Sequence, residues 1–141
     1  MKKFKAIIFF SCLLPLAAMA QLNVRIDNVY SREMPPTASN IAVYMTIRNF
    51  GSHGVSLESI SSEIAESAMI HHSKIENGMM VMEHLSELYI PSLENVRLEP
   101  GGLHIMLADL RSPLRAGDLV WINLSFSNGV VLRVDVQILG N

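Results

Sequence analysis

The chain has 141 residues, of which half are hydrophobic, with 11 basic and 13 acidic side chains and a formal charge of −2. This length suits a leader and one ordinary domain, and a mildly acidic chain without a basic cluster lacks the electrostatic footprint of a nucleic-acid binder. A single cysteine, Cys12, rules out a framework of intrachain disulfides.

Residues 1–20 read as a secretory signal. Lys2, Lys3 and Lys5 form a basic start, residues 6–16 are apolar, and Ala18-Met19-Ala20 is a small-residue cleavage pattern. The apolar run is too short to span a bilayer, so no membrane span is expected after cleavage. Cys12 is followed by more leader residues and is read as leader composition, not as a lipid attachment site. The domain proper is expected over residues 21–141, in the periplasm and as a monomer. Losing the leader removes three lysines and no acidic side chain, which leaves a net charge of about −5. In that oxidising compartment exported proteins commonly use disulfides. Without cysteine, this domain must rely on its apolar core.

Alternation of apolar and polar residues with period two predicts strands buried on one face. Ile41, Val43, Met45 and Ile47 alternate with Ala42, Tyr44, Thr46 and Arg48. Further candidates cover about residues 24–30, 55–60, 67–75, 79–85, 95–98 and 103–107. Near the end, Val120, Ile122, Leu124 and Phe126 lead through Ser127-Asn128-Gly129 to Leu132, Val134, Val136 and Ile138, with Asn-Gly supplying the positive backbone angles of a tight hairpin. Turn signals separate the runs at Met34-Pro35-Pro36, Gly51, Glu76-Asn77-Gly78, Pro100-Gly101-Gly102 and Ala116-Gly117-Asp118. Ser61-Ser62-Glu63 is compatible with a capped helical turn or a plain strand connection. Eight or nine short strands without a long amphipathic helix indicate a single all-β domain, an antiparallel sandwich or Greek-key barrel.

The chemistry gathers in one stretch. Five of the seven methionines and four of the five histidines beyond the leader fall between positions 69 and 106. After the Pro100-Gly101-Gly102 turn, a strand would turn Leu103, Ile105 and Leu107 to one face and His104 and Met106 to the other. On a hairpin turning at Glu76-Asn77-Gly78, Met69, His71 and Ser73 share a face, as do Met80, Met82 and His84. His72 then points away from His71, so only one of the two can face a given site. Methionine also fills irregular cores, but this concentration of imidazole and thioether, without thiolate or carboxylate, is a soft donor set that favours Cu(I) over zinc, calcium or magnesium.

The spacing His71-x10-Met82-x21-His104-x-Met106 resembles the H-x10-M-x21-H-x-M pattern of the periplasmic copper chaperones known as PCu(A)C. Leu98-Glu99-Pro100-Gly101-Gly102-Leu103-His104-Ile105-Met106-Leu107 is similar to that family's L-x-P-G-G-x-H-x-M-L block. Arg111-Ser112-Pro113-Leu114-Arg115-Ala116-Gly117-Asp118 and Tyr44-Met45-Thr46-Ile47-Arg48-Asn49 resemble its K/R-x-P-L-x-x-G-D and Y-x-x-[IL]-x-N segments. The resemblance implies a cupredoxin-like β-barrel that is not an enzyme. It would bind one copper ion, chiefly Cu(I), through His71, Met82, His104 and Met106. It also implies delivery to cytochrome c oxidase, at the subunit carrying the binuclear Cu(A) centre, or exchange with another copper chaperone. Two departures stand out: Glu83 follows Met82 where the family often has a basic residue, with His84 next as a spare donor or a strand residue beyond the site. The chain also stops at Asn141 without the His/Met-rich extension of some members, so a single ion is expected.

Competing classes fare less well. A blue-copper electron carrier needs a cysteine thiolate beside two histidines. Hydrolysis lacks a G-x-S-x-G or HExxH motif. An exported scaffold without metal accounts for the strands but leaves the donor spacing to chance, whereas a copper store or buffer would share the same site. His53, in Gly51-Ser52-His53-Gly54, is read as a solvated loop residue, Trp121 and Tyr44 as core or strand-face residues, and Arg111 and Arg115 as a solvated turn.

Overall fold

In a computed structural model the described residues are 23–141, and they form ten strands and no helix. The leader, its cleavage point and Cys12 lie outside them. The strands are β1 (Val24–Arg32), β2 (Ile41–Asn49), β3 (Val55–Ser61), β4 (Ala65–Glu76), β5 (Met79–Leu85), β6 (Leu88–Ile90), β7 (Asn95–Leu98), β8 (Leu103–Leu110), β9 (Leu119–Phe126) and β10 (Val131–Leu139). The all-β reading holds. Among the described residues no helix is long and apolar enough to cross a membrane.

The sheet runs β5-β4-β8-β2-β1-β10-β9-β3-β6, with β7 pairing the second half of β2. Neighbours are antiparallel except β1 and β10. The sheet curls until β3 approaches β4, which encloses one apolar interior. Val43, Met45 and Ile47 of β2, Ile105 and Leu107 of β8, Ile122 and Leu124 of β9, and Val136 and Ile138 of β10 are almost wholly buried there. Each such aliphatic side chain contributes roughly 1.5–3 kcal/mol relative to exposure. Their period-two spacing is what the sequence displayed, and it fixes which face of each strand points outward.

Polar groups caught in this packing are matched. Asn49, the last residue of the Y-x-x-[IL]-x-N segment, is buried and donates from Nδ2 to the His53 carbonyl at 2.8 Å and the Ile90 carbonyl at 3.2 Å. Its Oδ1 accepts from the Gly51 amide at 2.9 Å, so one side chain pins the whole 50–54 loop. Ser31, also buried, donates to the Ala42 carbonyl at 2.7 Å.

Several details depart from the sequence expectation. β6 is three residues long, too short to show a period. β4 begins at Ala65 rather than near 67, and β3 runs through Ser61 with 62–64 as the connection to β4, not a helical turn. In the β9–β10 turn only Gly129 has a positive φ, +83°. Gly129 donates to the Phe126 carbonyl at 3.0 Å and Phe126 to the Val130 carbonyl at 2.9 Å, a longer loop with one left-handed residue in place of a two-residue turn. The two-residue turn belongs to β4–β5. Asn77 and Gly78 both have positive φ, +51° and +78°, and Glu76 pairs with Met79, as a type I′ connection requires.

Candidate metal site

The site is built on the outer face of three adjacent strands, β5, β4 and β8. Ile70, Ile105 and Leu107 point inward, so the alternate residues of these strands project outward together. The ladder places His71 of β4 directly opposite His104 of β8 on one side and His84 of β5 on the other. Both neighbouring rings stand edge-on to that of His71, each with centroids 5.7 Å away. Met106 lies two residues beyond His104, and Met82 two residues before His84. They are therefore diagonal neighbours of His71, about 7–8 Å away and within reach of a long side chain. All four residues singled out by spacing share one face, with His71 at the centre. Met69 faces Met106 directly and Ser73 faces Met82.

The environments of the two central imidazoles differ. His104 is 5% exposed, and its Nδ1 lies 3.1 Å from the Gly102 carbonyl. A carbonyl only accepts, so Nδ1 carries the proton and Nε2 keeps the lone pair that a metal requires. Gly102 is held in turn by the Ser73 amide, which donates to the same carbonyl at 3.0 Å. The Pro100-Gly101-Gly102 turn, with Gly101 at φ +81°, thus orients a donor on the next strand. His71 has a buried Nδ1 with no hydrogen-bond partner. Leaving such a nitrogen unmatched costs roughly 1–3 kcal/mol, and a cation bound there would satisfy it. Burial, then charge on His104 and on His84, pushes the His71 pKa below the ordinary 6.5, which keeps the ring neutral.

Exposure grades across the site. Met106 and Met69 are half-buried, while Met82 is 50% exposed and His84 is exposed. Tyr44 stands 6.5 Å from His104 between ring centroids, with Tyr30 5.3 Å beyond it, so aromatic rings close the β2 side and the β5 side stays open. Among the described residues no three imidazole, thiolate or carboxylate side chains converge on one point in their present rotamers.

His72 sits on the opposite face, as expected. Glu83 lies there too, 3.1 Å from Lys74, which also reaches Glu76 at 2.9 Å. The unusual acid after Met82 is therefore turned away from the donors. His53 is an exposed loop residue whose Nδ1 contacts the Ser52 hydroxyl at 3.0 Å. Arg111 pairs with Glu66 at 3.3 Å and donates to the Glu63 carbonyl at 3.1 Å, and Trp121 carries the Arg133 guanidinium 4.1 Å above its ring. Two features escaped the sequence reading: the Tyr30–Tyr44 wall and the position of His84. The second had a signal, because His71 precedes Asn77 by as many residues as His84 follows Gly78, and a two-residue turn makes such positions partners.

The outer face of this curled β-sheet thus carries an array of imidazoles and thioethers on three adjacent strands. The chain belongs to the LpqE-like family, described as putative lipoprotein LpqE-like, which it matches over residues 24–138. It is 34% identical over 98 residues to a putative lipoprotein of Leifsonia xyli, an alignment covering 69% of this chain and 59% of that relative. The chain thus spans less than two thirds of that relative's length. Its fold is similar to the solution structure of Cu(I)-DR1885 from Deinococcus radiodurans, with a TM-score of 0.69 and 28% identity over 89% of this chain and 84% of that one. It is also similar to the copper-bound PCuAC domain from PmoF2, with a TM-score of 0.73 and 19% identity, covering 84% and 94% of the two chains.

Proposed function

We propose that this protein is an exported copper chaperone that binds one Cu(I) through His71, Met82, His104 and Met106 and passes it to a copper site of a respiratory oxidase, the Cu(A) centre of cytochrome c oxidase. The observation that carries the reading is the position of His71, with a histidine straight across from it and a methionine on each diagonal. The Cu(I)-bound structure of the Deinococcus radiodurans relative and the copper-bound PmoF2 domain support copper as the cargo. The lipoprotein description of the family supports a place outside the cytoplasm, and the leader pattern favours the periplasm. Recipient and delivery rest on the sequence resemblance.

The donor chemistry suits a carrier. Neutral thioethers stabilise the soft cuprous ion without the charge pairing of thiolates, and they are not lost to disulfide formation in an oxidising compartment. The half-exposed Met82 offers an edge at which a partner's ligands can replace this protein's own one at a time. Anaerobic Cu(I) titration followed by X-ray absorption tests the shell: one ion per chain with two sulfur and two nitrogen neighbours is expected. No stoichiometric uptake would leave a metal-free scaffold. Retention without transfer to an oxidase Cu(A) domain would leave a store.

Two further results are expected. Met106→Leu nearly conserves volume, so the variant should fold normally and lose Cu(I) affinity; unchanged stoichiometry and affinity would remove Met106 from the shell. Protons compete with the metal for imidazole nitrogen. Retention against a Cu(I) chelator should therefore be weaker at about pH 5 than at about pH 7.5. Because the His71 pKa is lowered by burial and by its two neighbouring histidines, His71 stays neutral to a lower pH than a free histidine, and its share of the loss falls below pH 6.5. Equal retention at both pH values would contradict histidine ligation.

A further inference from the structure

We infer that His84 is a third imidazole donor that lets the same face hold divalent copper, an inference that rests on the proposed copper site. His84 is outside the H-x10-M-x21-H-x-M spacing. Nevertheless its relation to His71 mirrors that of His104: each is the direct cross-strand partner of His71, and each ring stands edge-on at 5.7 Å. The Asn77-Gly78 turn enforces this pairing, since its two positive-φ residues lock the register of β4 against β5. The two flanking imidazoles differ in freedom. His104 is buried and tied to the Gly102 carbonyl, whereas His84 is exposed and can swing on its own side-chain torsions toward an ion beside His71.

Ligand softness gives that freedom a use. Cu(I) is satisfied by thioether, but Cu(II) is harder and prefers nitrogen in a tetragonal arrangement. Two imidazoles and two thioethers hold Cu(II) poorly. Adding His84 supplies three nitrogens from three adjacent strands, with Met82, the most exposed of the four Cu(I) donors, as the ligand to be displaced. Met82 and His84 sit two residues apart on the same face of β5, so one leaves as the other enters with no movement of the backbone. No electron transfer is involved: the face takes the ion in whichever oxidation state it arrives. A single strand edge would then set the relative affinity for the two states.

The test compares the exported protein with its His84→Gln variant, and with His72→Gln as a control on the opposite face. Cu(I) and Cu(II) are titrated separately against chelators of known affinity, and the Cu(II) form is examined by electron paramagnetic resonance. The ratio of Cu(II) to Cu(I) affinity should fall by at least about tenfold in His84→Gln, the lower end of what losing even a supporting residue costs a metal site. The nitrogen hyperfine pattern should lose one coupled nucleus, and His72→Gln should change neither. An unchanged ratio and an unchanged pattern in His84→Gln would overturn the inference, as would a wild-type protein that binds Cu(I) but no Cu(II). In those cases the Cu(I) reading stands, because its own titration is read independently.

Discussion

Replacing His71 with glutamine is expected to abolish useful Cu(I) binding while leaving the fold in place, the largest functional effect of any single change at this face. His71 is on the central strand of the three, and it alone is a direct or diagonal neighbour of every other proposed donor. Removing Met82 or Met106 takes one proposed ligand from the edge of the array; removing His71 takes the proposed ligand on the strand between β5 and β8. Its buried Nδ1 has no hydrogen-bond partner, so no hydrogen bond at that atom is lost with the ring. The expected loss exceeds roughly 100-fold in affinity, beyond what supporting groups around a metal typically contribute. Competition with a Cu(I) chelator measures it, circular dichroism checks the fold, and His53→Gln in the distant loop should match wild type. Near-normal affinity in His71→Gln would mean that the ion, if bound, sits elsewhere.

Ile105→Ala should produce the largest loss of stability near the site. Ile105 lies between His104 and Met106 on β8, is fully buried, and pairs with Val43 on β2 and Ile70 on β4. Cutting it back to alanine removes about 2–5 kcal/mol through lost transfer energy and the cavity left behind. For a domain of this size that is a drop of roughly 10 °C or more in Tm. A ligand that binds only the folded state restores stability by mass action, about 2.7 kcal/mol at a hundred times its Kd. Anaerobic Cu(I) should therefore raise the Tm of Ile105→Ala, restoring part of its loss, and leave that of His71→Gln almost unchanged. A rise in both would point to copper bound away from His71, and a rise in neither would separate the site from the strands that carry it.

The strands were legible because half of each is buried. Ile41-Val43-Met45-Ile47 and Ile122-Leu124-Phe126 alternate cleanly, as expected where one face packs on a core and the other meets water. β6 was not legible, since three residues display no period, and its position was decided by antiparallel pairing with β3 at Val55, Ser56 and Leu57. The Asn128-Gly129 turn was placed correctly but mistyped: its dipeptide permits two left-handed residues, and hydrogen bonds around Phe126 and Val130 select one. That His71 and His72 face opposite ways followed from parity, and the family spacing selected His71; the burial of Ile70 puts His71 on the outer face. That His71 is central, with His84 as close to it as His104, required knowing that β4 lies between β5 and β8.

What this sequence determined alone was local: period-two burial, the positions of turns, the soft character of the donors, and which side chains on each strand share a face. Those properties depend on residues a few positions apart. Only the tertiary structure decided which strands become neighbours, and so that Met82 and His104, with twenty-one residues between them in the chain, flank β4 on one face, with Tyr30 and Tyr44 closing one side. Strand order follows from how the whole sheet curls to bury its apolar face, a property of the complete chain that no single segment carries.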